Sequence, residues 1–353
     1  MVDIELSPRL NVFYGLNGSG KTSLLEAVSI LSLGRSFRSR KYKTLINHSA
    51  DTYTVFGQLT DQDRDLVPVG VQRDRQGQIQ IKKAGKQCST AAELAESLPV
   101  QVMNGHSFGL LEGAPQIRRQ FLDWLVFHVE HEFLGVWRNY EKCLKHRNSL
   151  LRRDKIDRLQ LSLWDRELAP LATRLDDFRR NTYERLQPEF DLLLNEFEGL
   201  QRVSLGYYRG WDKELDFAEL LASTQERDME LGYTRQGPHR ADLRIRCNKV
   251  AAVDELSRGQ QKIAVSALMI AQGKVFSQVQ MKKQCVYLID DLPAELDAQF
   301  RKTLAQWLSS MNCQVLVTGV ERDTLLSAWE EQDLETRVFH VEHGTVRHET
   351  LEQ

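Results

Sequence analysis

The 353-residue sequence predicts an α/β fold in which an inserted helical lobe separates two halves of one unit. Three observations support this prediction. A short apolar run ends in a glycine-rich turn near residue 15, continuous apolar runs typical of buried parallel strands lie near residues 285 and 313, and the stretch between them has helical periodicity. We therefore expect residues 1–107 and 232–353 to form the α/β lobe and residues 108–231 the helical lobe.

The first third predicts strands around one helix. The run LNVFYG is a short strand that ends at Gly15, and TSLLEAVSILSL places Leu24, Val28 and Leu31 on one helical face. From Tyr53 to Lys83, the segments YTVFGQL, DLVPVGVQ and QIQIKK have the composition of strands, and a turn at DRQG precedes the last of them.

The middle and last thirds differ in pattern. From about Phe108 to Leu231 we expect helices that Pro170 and Pro188 interrupt, each too short for a long coiled-coil arm. Towards the C-terminus, CVYLID and CQVLVTG are continuous apolar runs, as in buried parallel strands. The final segment RVFHVEHGTVRHETL predicts a hairpin that turns near His343 and Gly344.

Composition restricts the classes of protein to which the chain can belong. The net charge of −2 means that any binding to nucleic acid has to use local basic patches. No run of 18 apolar residues is present and the N-terminus has no apolar signal segment, so we expect a cytoplasmic protein with no membrane partner.

The cysteines and the C-terminal histidines lack a clear metal-site or disulfide pattern. The five cysteines are odd in number and include no C-x-x-C pair, which favours a reducing compartment. They are Cys88, Cys143, Cys247, Cys285 and Cys313. His340, His343 and His348 could bind a metal, but alternating positions of a terminal hairpin are the simpler interpretation.

The segment GLNGSGKT matches the phosphate-binding pattern G-x-x-x-x-G-K-[ST], and it lies between a predicted strand and a predicted helix, as the pattern requires. Its glycines let successive backbone N–H groups point at phosphate oxygens. Lys21 should reach the β- and γ-phosphates of ATP, and the Thr22 hydroxyl should ligate Mg²⁺. The predicted ATP contacts are Gly15, Leu16, Asn17, Gly18, Ser19, Gly20, Lys21 and Thr22.

The segment VYLIDDLPAELD ends a predicted buried strand with two acids, at the edge where α/β sheets bind ligands. Asp290 is placed to hold Mg²⁺, through water or at the Thr22 site, and Asp291 is placed to orient or activate the attacking water. Adjacent acids after a strand are also common as helix N-caps, but the phosphate loop in the same chain favours the catalytic interpretation.

The segment LSRGQQK places a serine and a glycine before a further predicted helix, whose N-terminus would suit an anion. Taken alone, the segment is a capped helix. Because the first loop already holds the chain's own phosphates, the favoured ligand is the γ-phosphate of ATP bound to another copy. This predicts a two-fold homodimer with two ATP molecules between the subunits. The predicted contacts are Ser257, Arg258, Gly259 and Gln260.

A basic segment, GRSFRSRKYK, is a candidate for DNA binding, because its cations are interleaved with aromatic residues. A solvated loop, or an arginine that serves the nucleotide, is the alternative. The candidate DNA contacts are Arg35, Arg38, Arg40, Lys41 and Lys43. A second basic stretch, from Arg152 to Arg158, alternates with acids and is more typical of a solvated helix face.

Together these motifs resemble the ABC-type ATPase superfamily, and further segments narrow the resemblance to the RecF family of bacterial recombination mediators. These segments are GRSFRS, GAPQIRRQFLDW, YEKCLKHRNSLL and GYTRQGPHRADL. The resemblance implies an SMC-like ATPase head without a long coiled coil, whose weak, DNA-stimulated ATPase acts as a switch. It also implies ATP-dependent dimerisation, binding to single-stranded and duplex DNA at gaps or junctions, and work with RecR and RecO in loading RecA.

The resemblance assigns roles to further residues. Asp290 and Asp291 correspond to the Walker B acids, Asp297 to the D-loop aspartate, and Gln101 to the Q-loop glutamine near Mg²⁺. At Asp291 most members of the superfamily carry glutamate, and the shorter side chain retracts the carboxylate by roughly 1.5 Å, which predicts slow hydrolysis. Ala294 replaces the usual serine before ELD, and the family's usual first strand, with an aromatic-Arg-Asn element, would precede the start of this sequence.

Three other classes compete with this hypothesis. An ABC transporter ATPase subunit, or another SMC-like ATPase, shares the motifs, but transporter ATPases usually carry a histidine where this chain has Thr318 and Gly319. A small-molecule kinase would leave LSRGQQK without a role. A GTPase is disfavoured, because NKVA at 248–251 lacks the acid that would recognise guanine.

Overall fold

The computed structural model describes residues 2–39, 41–60, 65–153 and 155–350. Unit 1 contains residues 1–107 and 276–353, and unit 2 contains residues 108–275. The strands are β1 Leu10–Tyr14, β2 Thr52–Thr60, β3 Leu66–Asp74, β4 Ile79–Lys83, β5 Lys86–Gln87, β6 Val100–Met103, β7 Val203–Tyr208, β8 Asp242–Cys247, β9 Val250–Ala251, β10 Cys285–Ile289, β11 Cys313–Gly319, β12 Thr336–Glu342 and β13 Thr345–Glu349.

The helices fall mainly in unit 2 and on the faces of the unit 1 sheet. They are α1 Lys21–Leu33, α2 Ala92–Ser97, α3 Gly109–Glu112, α4 Pro115–Val129, α5 Phe133–Leu151, α6 Arg158–Leu194, α7 Phe217–Leu231, α8 Ala252–Glu255, α9 Arg258–Val279, α10 Leu292–Glu295, α11 Ala298–Ser309 and α12 Arg322–Leu326.

The main sheet of unit 1 has the strand order β13-β12-β1-β11-β10-β6. Its strands are parallel except for β13, which pairs antiparallel with β12 through the predicted hairpin turn at His343 and Gly344. The continuous apolar runs that form β10 and β11 are buried, as predicted. Because β1 and β10 both end at the same edge, the phosphate loop and the paired acids converge there.

A second, antiparallel sheet of unit 1 has the order β2-β3-β4-β5. Its inner face contributes Val71 and Ile81 to a buried cluster with Leu25 of α1 and with Phe13 and Leu288 of the main sheet. Helix α1 is therefore fixed between the two sheets, and the phosphate loop is fixed with it.

In unit 2, the long helix α6 packs against α5 and contains 37 residues. The expectation that Pro170 and Pro188 would interrupt it is wrong, since both prolines lie inside the helix. Both are exposed, so water can reach the carbonyl groups that lose their hydrogen bonds at these positions. The alternating strand β7 was also missed within the predicted helical stretch.

The boundary of unit 2 differs from the one expected from the sequence. It was placed after residue 231, whereas the compact unit continues to residue 275, within α9. The reason is strand pairing, because β7 pairs antiparallel with β8 over the whole length of both strands and thereby retains residues 242–247 in the same unit.

The cysteines and histidines show no further site in the described part of the chain. All five cysteines are free thiols, and four are buried. Within the described residues, no group of three or more His, Cys, Asp or Glu side chains is arranged to hold a metal ion, and no helix is long and apolar enough to span a bilayer.

Candidate nucleotide-binding site

The loop between β1 and α1 depends on glycine for two different reasons. Gly15, Gly18 and Gly20 all have positive φ angles, of 148°, 81° and 112°. A Cβ atom at Gly15 would lie 2.1 Å from the carbonyl oxygen of Val341, whereas one at Gly18 would meet nothing within 4 Å. Gly15 is therefore required by close packing as well as by conformation.

The rest of the loop exposes its tip and buries one hydroxyl. Leu16 and Asn17 are exposed, Leu16 to 76 %. The Oγ atom of Ser19 is buried and has no hydrogen-bond partner among the described residues. The Ser19 carbonyl accepts a hydrogen bond from Gly344 N (2.9 Å), so the turn of the C-terminal hairpin supports the loop. A buried hydroxyl without a partner is what a loop that cradles a polar ligand would contain.

Lys21 occupies the centre of this loop. Its Nζ donates hydrogen bonds to the carbonyl oxygens of Gly15 (2.7 Å) and Leu16 (2.9 Å), and only 8 % of the residue is exposed. Burial lowers the pKa of Lys21, while the carboxylates of Asp291 and Asp290 act in the opposite direction. The ammonium group is thus held where a phosphate would contact the loop.

Asp290 is the centre of a cluster of oxygen atoms at the sheet edge. The Thr22 Oγ1 atom lies 3.0 Å from Oδ1 and 3.1 Å from Oδ2 of Asp290, and Thr318 Oγ1 donates to Oδ1 at 2.8 Å. A hydroxyl and a carboxylate are hard oxygen ligands of the kind that Mg²⁺ prefers. Sequence analysis missed Thr318 as a site residue, although it is the hydroxyl that ends the apolar run next to β10.

Asp291 leaves the sheet in a conformation unusual for a non-glycine residue. Its φ and ψ angles are 55° and 51°, and its backbone N–H donates to Thr318 Oγ1 at 2.8 Å. The Asp291 side chain makes no capping hydrogen bond to α10, so the alternative of a simple N-cap is not realised. By contrast, the exposed Asp297 does cap α11, through a hydrogen bond from Phe300 N of 2.9 Å.

Gln101 lies inside β6, two positions before the strand ends. It is 4 % exposed, and neither atom of its amide group has a hydrogen-bond partner among the described residues. It pairs with Tyr287, whereas the next residue, Val102, packs against the core cluster that contains Leu288. Because side chains alternate along a strand, Gln101 is on the sheet face opposite to that cluster.

Asn104 is the polar residue that β6 brings to the sheet edge, and sequence analysis missed it. The register pairs Met103 with Ile289, so that Asn104 follows β6 at the level where Asp290 follows β10. The backbone N–H of Asp290 donates to the Met103 carbonyl at 2.9 Å, which holds the two strand ends together.

The LSRGQQK segment begins α9 in unit 2 with a reciprocal cap. Ser257 N donates to Gln260 Oε1 (3.0 Å), and Gln260 N donates to Ser257 Oγ (3.3 Å). Arg258 forms an ion pair with Glu112 and remains 76 % exposed. Ser257, Arg258 and Gly259 are all exposed, and a Cβ atom at Gly259 would meet nothing within 4 Å. The segment is therefore a capped helix start with an open surface.

The basic segment that follows α1 is exposed. The side chains of Arg35, Arg38, Lys41 and Lys43 are exposed and form no ion pair among the described residues. Arg40 lies outside the described residues. Exposed cations without carboxylate partners provide positive charge for an external anion.

Comparison with known proteins gives a consistent result over almost the whole chain. A family model for the RecF/RecN/SMC N terminal domain matches residues 1–347. Two relatives named DNA replication and repair protein RecF, from Cellvibrio japonicus and Pseudomonas entomophila, are 54 % and 48 % identical to this chain. Each match covers 98 % of this chain and 94 % of the relative.

Solved structures support the same fold. One is the recombination mediator protein RecF with ATP in the RecFOR pathway, with a TM-score of 0.83 at 24 % identity over 99 % of this chain and 93 % of that one. Another is an Smc head bound to the C-winged helix domain of ScpA, with a TM-score of 0.59 at 15 % identity over 99 % and 92 %. The predicted ABC/SMC-type ATPase fold is thereby confirmed.

Proposed function

The chain belongs to the RecF family of DNA replication and repair proteins, and on that premise we propose that it is an ATP-switched DNA-binding protein of recombinational repair. One observation carries the proposal: the Thr22 hydroxyl and the Asp290 carboxylate lie 3.0 Å apart beside a glycine-rich phosphate loop. Family membership favours this function over the transporter subunit and the small-molecule kinase that the motifs alone left open.

The residues present fit ATP and Mg²⁺. The backbone of Gly15–Gly20 and the ammonium group of Lys21 would hold the phosphates, and Thr22 and Asp290 would hold the metal ion. Bound Mg²⁺ would neutralise charge on the phosphate oxygens. Thr318 is a positioning residue, since its hydroxyl orients the Asp290 carboxylate and receives the N–H of Asp291. We propose that the amide which approaches the metal ion belongs to Asn104, the residue that follows β6, and not to Gln101. The Oδ1 atom of Asn104 also accepts a hydrogen bond from His106 N at 2.9 Å.

Asp291 is the proposed general base for the attacking water. It is next to the metal-binding carboxylate but outside the sheet, and its side chain is free of the helix cap. An aspartate reaches roughly 1.5 Å less far than a glutamate, and a general base has to lie within about 3 Å of the water or act through a second water. Slow hydrolysis follows, and it would set the lifetime of the ATP-bound state.

The ATP-bound state is proposed to be a homodimer. Ser257, Arg258, Gly259 and Gln260 would contact the γ-phosphate held by a second copy, because the start of α9 is open and carries the positive end of the helix dipole. Asp297 would face the partner from the exposed turn that precedes α11. Two identical composite sites satisfy two-fold symmetry.

DNA is proposed to contact the basic segment Arg35–Lys43 through its phosphates, without a preference for base sequence. The proposed protein partners are RecR and RecO, with RecA as the protein that is loaded. Support for RecR and RecO comes from a similar solved structure, which is that of RecF with ATP in the RecFOR pathway. RecA is included because the family resemblance implies it.

The test is a dissociation time course from gapped DNA after ATP is chased with ADP. We expect Asp291→Asn to bind ATP like the unmodified protein, because Thr22 and Asp290 are unchanged, but to stop turnover and leave DNA more slowly. Asp333→Asn, at an exposed position of unit 1, is the matched control for loss of one carboxylate. If Asp291→Asn left DNA as fast as the control, Asp291 would not set the lifetime.

A further inference from the structure

Unit 2 contains a cavity of about 280 Å³ that the proposed function does not use. It lies between α3, the start of α4, strand β8, strand β9 and helix α8, and its floor includes Leu110, Leu111 and Val253. The volume is near the lower end for ligand sites, which suits one or two anchoring side chains of a larger partner.

The rim of this cavity is strongly basic. Four cations line it, and the one carboxylate among the lining residues is Asp242. Arg118 already binds both oxygens of that carboxylate, at 2.8 and 3.2 Å. Arg246 and Lys249 are exposed and form no ion pair among the described residues. Arg244 lies 4.0 Å from Asp242 and over the ring of Tyr208, and its side chain is 43 % exposed. The net positive charge that remains would attract an acidic group.

The cavity also contains an open strand edge. Strand β9 pairs with β8 only at Arg246 and Cys247. Along the rest of this edge of β8, from Asp242 to Ile245, no strand of the described chain pairs with it. Ile245 also lines the cavity. An unpaired edge offers backbone N–H and C=O groups to an added strand.

From these features we propose that the cavity binds an extended acidic segment of a protein partner, which adds a strand to the free edge of β8. Side chains of an added strand alternate between its two faces. On one face, carboxylates would meet Arg244 and Arg246, which share one face of β8, and Lys249 in the adjacent turn. On the other face, apolar side chains would enter the cavity above Leu110 and Leu111. DNA fits less well, because a sugar-phosphate backbone has no amide groups for a strand edge. None of these residues belongs to the proposed ATP site.

The probe is a fluorescein-labelled hexapeptide of alternating aspartate and leucine, measured by fluorescence anisotropy with the full chain. We expect saturable binding that a peptide of the same composition in blocks, three aspartates then three leucines, weakens at least tenfold. Two further analogues carry N-methyl groups on alternate residues, in the two possible phases. An added strand uses the N–H of every second residue on one side, so one phase should lose binding at least tenfold and the other should retain it.

The protein variant that tests the charges is Arg246→Glu with Lys249→Glu, for which we expect at least tenfold weaker binding. Lys213→Glu, at a side chain that is 84 % exposed elsewhere in unit 2, is the matched control and should bind like the unmodified protein. The peptide analogues need only the unmodified chain, so they decide the question even if the double variant does not fold. Equal binding by both N-methyl phases, or displacement of the peptide by a single-stranded oligonucleotide with no effect of N-methylation, would overturn the proposal.

Discussion

Two glycines of the phosphate loop provide a matched test of how the C-terminal hairpin supports the nucleotide site. Both Gly15→Ala and Gly18→Ala add one methyl group at a positive φ angle. Only at Gly15 would the new Cβ atom meet main chain, 2.1 Å from the carbonyl oxygen of Val341 in β12. At Gly18 no atom lies within 4 Å, so that substitution measures the conformational cost alone.

The expected magnitudes differ for physical reasons that can be separated. A positive φ angle costs an L-residue about 1–2 kcal/mol, which applies to Gly18→Ala. Gly15→Ala has its own conformational cost, because a φ angle of 148° lies outside the left-handed helical region. It adds the cost of moving main chain apart by about 1 Å, and overpacking of this kind costs about 1–3 kcal/mol more. The smaller entropy of the unfolded chain offsets about 0.4–1 kcal/mol in both variants, so it cancels in the comparison.

The assay is urea unfolding of both variants, followed by titration with a fluorescent ATP analogue. We expect Gly15→Ala to lower the unfolding midpoint further than Gly18→Ala does. We also expect it to bind the analogue at least tenfold more weakly than Gly18→Ala, because the loop has to shift away from Val341. If the two variants lost the same stability and the same affinity, the contact between hairpin and loop would have no energetic role.

Three further predictions concern the dimer, DNA and pH. Ser257→Arg should bind ATP as a monomer but fail to dimerise in size-exclusion chromatography with ATP, whereas Lys21→Met should lose both properties. If the Ser257→Arg monomer bound ATP more weakly than the unmodified protein, the two-copy site would be contradicted. Arg38→Ala with Lys41→Ala should reduce the slope of log K for duplex DNA against log salt by about 0.9 for each phosphate that the protein no longer neutralises, and an unchanged slope would exclude these cations. Burial lowers the pKa of His239 to about 4, whereas the same side chain in the unfolded chain binds a proton below pH 6.5. Because the unfolded state then binds more protons, the free energy of unfolding should fall by up to about 3 kcal/mol as the pH is lowered from 6.5 to 4. In His239→Gln, the urea midpoint should change less with pH over that range. If it changed as much as in the unmodified protein, His239 would not be the cause of the loss of stability.

The sequence was sufficient for the parts of the site that depend on local pattern. Glycine spacing and a following helix predict the phosphate loop, and an apolar run ending in Asp290 and Asp291 predicts the strand end. Thr318 could not be assigned in the same way, because its hydrogen bond to Asp290 depends on the order of strands in the sheet. Asn104 became a candidate only through the register of β6 with β10.

Tertiary packing also determines the helix and strand structure of unit 2. Pro170 and Pro188 do not break α6, because packing directs both towards water, where unpaired carbonyl groups are solvated. Whether a proline faces water or the core cannot be determined from its neighbours in sequence alone. The pairing of β7 with β8 likewise connects residues that are separated by α7.

The two adjacent acids illustrate how one local change separates two chemical roles. Asp290 continues the regular alternation of β10, so its carboxylate lies on the same face as Leu288 and reaches Thr22 beside α1. The chain then reverses at Asp291, whose positive φ angle turns it out of the sheet. Had both residues kept strand geometry, their side chains would point to opposite faces of the sheet. The left-handed turn, which a hydrogen bond to Thr318 holds in place, instead keeps the second carboxylate at the sheet edge and apart from Thr22 and Asp290, the proposed metal ligands. A proposed metal ligand and a proposed general base can therefore be consecutive in sequence.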